Sequence, residues 1–133
     1  MIYTEILTLR TAGELDIHDI TREVEKAVRG SGIKDGICLV FGKGSTIGVI
    51  LNENDYSLLK DLKETLRTLV PAREYSHPEN ARSHLRSMVI GNQVCLPVED
   101  GRLQTGTWQQ IMVVELDTRP RQREIIIKIV GNS

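Results

Sequence analysis

The carboxy-terminal segment QREIIIKIV, Gln122 to Val130, places Ile125, Ile126, Ile127, Ile129 and Val130 almost side by side. Read as a strand, whose successive side chains point to opposite faces, it carries apolar groups on both sides. A strand dry on both sides needs a layer against each face. A helix layer is expected on one side and, in so small a protein, another subunit on the other.

The chain has 133 residues, enough for one domain that buries roughly two thirds of its unfolded surface. Aromatic residues make up 4% against 40% hydrophobic, so aliphatic packing must form the core. With 17 basic and 18 acidic residues the net charge is −1, and no general field attracts nucleic acid or an anionic membrane. No apolar run approaches the ~20 residues that span a bilayer, and MIYTEILTLR is too charged and too alternating for a signal peptide. A cytoplasmic protein with no nucleic-acid or membrane partner is expected. Cys38 and Cys95 lie in apolar runs without CxxC spacing, so both are read as reduced, packed thiols.

Residues 2–10 mix polar and apolar β-formers and read as a first strand, followed by a turn at Gly13-Glu14-Leu15. Ile20, Val24, Ala27 and Val28 recur at helical spacing, with Asp19 as N-cap and Gly30 and Gly32 as the stop. GICLVFG and STIGVILNE are two strands joined by the GKG loop. Leu58, Leu59, Leu62, Leu66 and Leu69 mark the core face of a helix starting near Asn54 or Asp55 and ending before Pro71. NARSHLRSMVI predicts a shorter helix with Ala81, Leu85, Met88 and Val89 inward and Gly91 closing it. QVCLPV, a VEDG turn, QTGTWQQIMVVELD, a TRPR turn and QREIIIKIV predict an antiparallel meander. Two to three helices among about eight strands, the strands concentrated late, give an α+β fold, with residues 1–133 as a single domain. No GxGxxG or Walker loop is present.

Three clusters carry chemistry. His77 and His84 flank Asn80, and imidazole serves as a neutral ligand or proton carrier near neutral pH. Glu53 or Asp61 from elsewhere would complete a divalent-metal site, although HxxxxxxH is no recognised metal signature. GKGSTIG, with Gly42, Gly44 and Gly48 around Ser45 and Thr46, is either an anion-holding loop or a tight hairpin, and its place between two strands favours the hairpin. Arg119, Arg121 and Arg123, with Arg82 and Arg86, supply guanidiniums suited to phosphate.

The pattern GxxxxGTWQxI, read at Gly101, Gly106, Thr107, Trp108, Gln109 and Ile111, is followed by ELDTRPRQR. Upstream stand Tyr75, His77, Asn80, His84 and Leu85, GSTIGVILNE, DLKETLRTLVP and Asp19-Ile20-Thr21. Together these segments resemble the YjbQ family, also described as secondary thiamine-phosphate synthase enzymes. Where many members have HTTAA, this chain has Gly44-Ser45-Thr46-Ile47-Gly48, similar to the GST-type variant of archaeal members. The imidazole of that motif is missing at position 44.

The resemblance implies a compact α+β domain that assembles as a homotrimer, with polar residues in clefts near subunit contacts. It implies transfer of a pyrimidine diphosphate to a thiazole phosphate, releasing pyrophosphate and forming thiamine phosphate, as a weak or side activity. Within it, His77, His84 and Glu53 are candidate catalytic residues. Ser45, Thr46, Asn80, Thr107, Trp108, Gln109 and Arg123 are candidates for binding a small phosphorylated metabolite. A divalent metal, Mg or Zn, would be held by His77, His84 and Asp61. Trp108 is read either as a pocket wall or as a plug at the trimer interface. The alternatives are a non-catalytic trimeric binder of metal or phosphorylated metabolite and a metal-assisted phosphate-ester hydrolase.

Overall fold

The computed structural model describes every residue from Met1 to Ser133. In chain order the elements are β1 (Ile2–Arg10), β2 (Ile17–Asp19), α1 (Thr21–Ser31), β3 (Asp35–Gly42), β4 (Ile47–Asn52), α2 (Tyr56–Leu69), α3 (Ala81–Ile90), β5 (Gln93–Glu99), β6 (Arg102–Leu103), β7 (Gln110–Glu115) and β8 (Gln122–Asn132). The strands form a five-stranded sheet, β1-β8-β3-β5-β6, and a three-stranded sheet, β2-β7-β4. Every pairing is antiparallel, which makes this the α+β domain expected from the sequence. No helix is long and apolar enough to cross a membrane.

The main core lies between the two sheets. Ile125, Ile127 and Ile129 of β8, Cys38 and Val40 of β3, and Leu96 and Val98 of β5 meet Val49, Ile111 and Val113 of the smaller sheet, with Val24, Ala27 and Val28 of α1 closing the side. On the far side of the smaller sheet, Val114 and Leu116 meet Leu15, Leu66, Ile50, Leu62 and Ile90 beneath α2 and α3. The strand dry on both faces is therefore β7, in which Ile111 to Glu115 are all buried. The expectation placed that role on β8. There, one face is buried, while Ile126 is half-buried and Val130 is 42% exposed. Val130 is paired with Ile2 on one side and Ile37 on the other, both exposed, so the outer face of the larger sheet carries an apolar patch among polar neighbours such as Thr4 and Lys128.

Helix ends follow local chemistry. Asp55 caps α2 by accepting from the Leu58 amide at 2.9 Å. Asp19 stands one residue too early to be the N-cap of α1, which is Ile20. Its carboxylate still secures the helix start, accepting from the Thr21 amide at 2.9 Å and hydroxyl at 2.6 Å. Gly32 ends α1 in the left-handed conformation, φ 70°, that its lack of a side chain permits.

Four sequence expectations give way. The late strands form no continuous meander, because β7 lies in the smaller sheet and β8 in the larger. For the same reason the GKG loop is no hairpin: it carries the chain from β3 in one sheet to β4 in the other. Of the α2 leucines only Leu66 is buried, and Leu58 and Leu69 are exposed. Finally, α3 keeps Ala81 inward as expected but is otherwise turned away from its apolar pattern, with Ser83, Arg86 and Ser87 inward and Met88 77% exposed.

The inversion of α3 is possible because most of its inward polar groups are partnered. Arg86 donates from Nε and Nη2 to the Val70 carbonyl at 3.1 and 2.9 Å, and from Nη1 to Glu14 at 2.8 Å. The Ser87 hydroxyl donates to the Ile47 carbonyl at 2.6 Å, and only the Ser83 hydroxyl is left without a partner. The cysteines differ from expectation in one respect. Cys38 is buried, which pushes its thiol up to about 12, whereas Cys95 is exposed on the opposite face of the sheet.

Candidate functional site

Glu115 ends β7 in a buried position, and a buried carboxylate requires a partner. Arg123, near the start of β8, supplies it: Nε donates to Glu115 Oε1 at 2.9 Å and Nη2 to Oε2. The same Nη2 donates to the carbonyl and hydroxyl oxygens of Thr46 at 2.8 and 2.7 Å. Glu115 also accepts from the Thr11 hydroxyl at 2.7 Å and the Asp117 amide at 3.0 Å. Arg123 is only 3% exposed, and its guanidinium is fixed along one edge and at one corner.

Its third nitrogen, Nη1, has no protein partner. Nor is it sealed in, since the Ser83 hydroxyl is the one buried side-chain polar atom without a partner. Nη1 opens beside Gly44, where an added Cβ would stand 2.9 Å from it and where φ is 146°. Glycine thus keeps this donor uncovered.

Arg123 borders a hollow of about 440 Å³ with no apolar residue in its wall. Ser45, Thr46, Asn80, His84, Asp117 and Arg119 line it with Arg123. Asn80 is the N-cap of α3 and makes no side-chain capping bond, so the positive end of that helix lies at the rim. Asp117 accepts from the Thr118 amide at 2.7 Å, from Arg121 and from Asn80 at 3.5 Å. Burial works to raise the Asp117 pKa, but the Thr118 amide, Arg121 and Asn80 outweigh it and hold the carboxyl below its ordinary value. The two hydrogen bonds and the charge of Arg82, aided by Arg86, do the same for Glu14 against its partial burial.

A lowered pKa means that the folded state binds the proton less readily than the unfolded one. The stabilisation is present above the unfolded pKa, about 4 for a carboxyl, and is lost as pH falls through the folded value. The melting temperature should therefore drop below about pH 4, and less steeply in Asp117→Asn. Equal acid slopes for the two proteins, measured by calorimetry, would contradict the assignment.

His84, on the first turn of α3, also borders a second hollow of about 480 Å³ walled by Tyr75, His77, Ala81, Leu85 and Met88. His77 meets His84 edge to face, ring centroids 5.1 Å apart at 80°. Of the residues expected from the sequence, Ser45, Thr46, Asn80, His84 and Arg123 share one hollow, and His77 touches it through His84.

The others lie elsewhere in the chain. Glu53 and Asp61 border an apolar groove of about 550 Å³ between α2 and β4, beside Leu58, Leu62 and Val94. His77, His84 and Asp61 therefore form no common ligand set, and no group of three His, Cys, Asp or Glu side chains is placed to hold a metal ion. The reason is topological, since Asp61 is on α2 and the imidazoles belong to α3 and the loop before it. Thr107, Trp108 and Gln109 lie in the turn ahead of β7, not in a strand. Gln109 closes that turn by accepting from the Gly106 amide at 2.8 Å, and Trp108 is 69% exposed. Gln110 faces Asn52 and Glu115 faces Ile47, so this turn and the Arg123 site stand at opposite ends of β7, roughly 16 Å apart at ~3.3 Å per residue.

Sequence reading missed Glu115 and Asp117. The signal was there: a carboxylate between Val114 and Leu116 in a run of apolar strand residues, with an arginine eight positions on.

Comparison with known proteins bears out the family part of the resemblance, the YjbQ-like fold family, and names no activity. The family described as UPF0047 protein YjbQ-like matches residues 5–132. A UPF0047 protein of Methanothermobacter thermautotrophicus is 40% identical over 98% of this chain and 93% of its own length. One from Archaeoglobus fulgidus is 41% identical over 92% of this chain and 97% of its own. A crystal structure of a YbjQ-like protein of unknown function from Sulfolobus solfataricus superposes with a TM-score of 0.95 at 36% identity, covering 99% of both chains. A hypothetical protein of Aeropyrum pernix gives 0.91 at 33%, covering 97% of this chain and 98% of its own.

Proposed function

The chain belongs to the YjbQ-like UPF0047 family, and from that premise we propose that it binds a phosphorylated small metabolite in the hollow beside Arg123 and acts on it as a slow, thiamine-phosphate-synthase-like transferase. One observation carries the reading: a guanidinium held rigidly by Glu115 and Thr46 keeps one nitrogen free at a hollow with no apolar residue in its wall. A rigid, outward-facing cationic N–H donor suits a phosphate oxygen. The Ser45 hydroxyl and the Arg119 guanidinium stand on the same wall, and His84 is the group there that can carry a proton.

The charge balance supports a low rate. Four cations line the hollow, but Arg123 and Arg121 are each engaged by a carboxylate and Lys43 lies 3.6 Å from Glu124. That leaves Arg119 uncommitted. A departing diphosphate needs more compensation than one free guanidinium gives. The same balance favours, as second reading, a metabolite binder without turnover, which would show stabilisation by ligand and no product.

We read the apolar patch on the outer face of the larger sheet, where Ile2, Ile6, Ile37 and Val130 are exposed, as the contact of a homotrimer. In that assembly the Trp108 turn of one copy would join the site only by reaching a neighbour's hollow. In this GST-type variant Gly44 leaves Arg123 open where a histidine side chain would cover it.

Inorganic phosphate should raise the melting temperature of the protein in proportion to the logarithm of its concentration above the dissociation constant. Arg119→Gln should need several-fold more phosphate for the same shift. No shift in either protein, or equal shifts, would reject the assignment of the hollow.

A further inference from the structure

Resting on the phosphate reading of this hollow, we propose that the ligand is two-part: an anionic head beside Arg123 joined to an apolar body that crosses His84 and lies against Leu85, Met88 and Tyr75. His84 lines both hollows, one without a single apolar wall residue and the other walled mainly by apolar and aromatic side chains. A ligand filling only the first would leave the second to water.

The way α3 is turned gives the same answer. Its inward face is made of Ala81, Ser83, Arg86 and Ser87, so Leu85, next to His84 in sequence, is only half-buried and Met88, four residues beyond His84, is 77% exposed. An apolar edge exposed there is unfavourable unless something covers it, and the adjoining charge on Arg123 selects what that is. An uncharged ring or short chain carrying a phosphate satisfies both walls. The side chains around the apolar hollow are already braced: the Tyr75 hydroxyl donates to the Pro71 carbonyl at 2.6 Å, and its ring lies 3.8 Å from the Arg73 guanidinium carbon. His77 is set edge-on to His84. Little ordering is then needed when a ligand arrives.

Titration calorimetry with inorganic phosphate and with phenyl phosphate separates the head from the body. Covering one face of a phenyl ring should make phenyl phosphate bind about tenfold more tightly than phosphate. In Met88→Ser, an exposed position whose replacement leaves the core intact, that advantage should fall to about twofold while phosphate binds as before. Equal affinities for the two probes in the unaltered protein would overturn the apolar body and leave the phosphate reading standing. An advantage unchanged in Met88→Ser would overturn it as well, as would a Met88→Ser protein altered only in oligomeric mass, which would assign this edge to a second copy. If neither probe binds, the phosphate reading fails and this inference falls with it.

Discussion

Replacing Glu115 by alanine is expected to lower the stability of the fold by about 3–5 kcal/mol, the cost of leaving a buried guanidinium without its carboxylate. Both partners lie in the interior, Arg123 near the start of β8 and Glu115 at the end of β7, so they join strands of different sheets. Water cannot replace the lost carboxylate as it would at the surface. The Thr11 hydroxyl and the Asp117 amide lose their acceptor in the same step. The double variant Glu115→Leu/Arg123→Met removes both charges, and should recover to within about 2 kcal/mol of the unaltered protein. It should nevertheless lose phosphate binding, because Nη1 goes with the guanidinium. Urea unfolding resolves the two cases. A cost below about 1 kcal/mol for Glu115→Ala would mean that the pair is solvated and that Arg123 is not the rigid donor on which the functional reading depends.

The second large effect concerns turnover. His84→Ala should reduce thiamine-phosphate formation by roughly 10²–10⁴-fold, the range expected when a positioned proton carrier is removed. His84 borders both hollows, whereas His77 reaches the polar one only by contact with the His84 ring. His77→Ala should therefore act through orientation, with a loss of about tenfold. Phosphate affinity, carried by Arg123 and its neighbours, should change little in either variant. Unchanged turnover in both would reject the catalytic role of the imidazoles, and stabilisation by phosphate without product in the unaltered protein would favour the non-catalytic binder.

Features governed by near neighbours were legible in the sequence. The start of α2 near Asp55, the Gly32 stop and the strand at residues 2–10 depend on residues a few positions apart, and the structure shows all three. What failed depends on partners far along the chain. The pattern of NARSHLRSMVI turns Met88 inward, but Arg86 finds the Val70 carbonyl and Glu14 and takes the interior instead. GKG looked like a hairpin because strands flank it, and nothing local shows that those strands belong to different sheets.

The candidate site divides in the same way. His84 and Asn80 share a helix end and were paired by spacing, while Arg123 was singled out as one of an arginine cluster. The buried carboxylate that aims Arg123 is 8 residues away in sequence and reaches it from another sheet. Trp108 and Gln109, the most specific residues of the family resemblance, lie at the other end of β7 in the single chain. Motif strength therefore did not translate into shared location.

If Arg123 presents its one free nitrogen to an anion, a crystal grown in phosphate will show the contact. A phosphate oxygen is expected about 3 Å from Arg123 Nη1, with Ser45 and Arg119 on the same anion. Phosphate found only at other surfaces, with Nη1 facing solvent at concentrations that stabilise the protein, would contradict it.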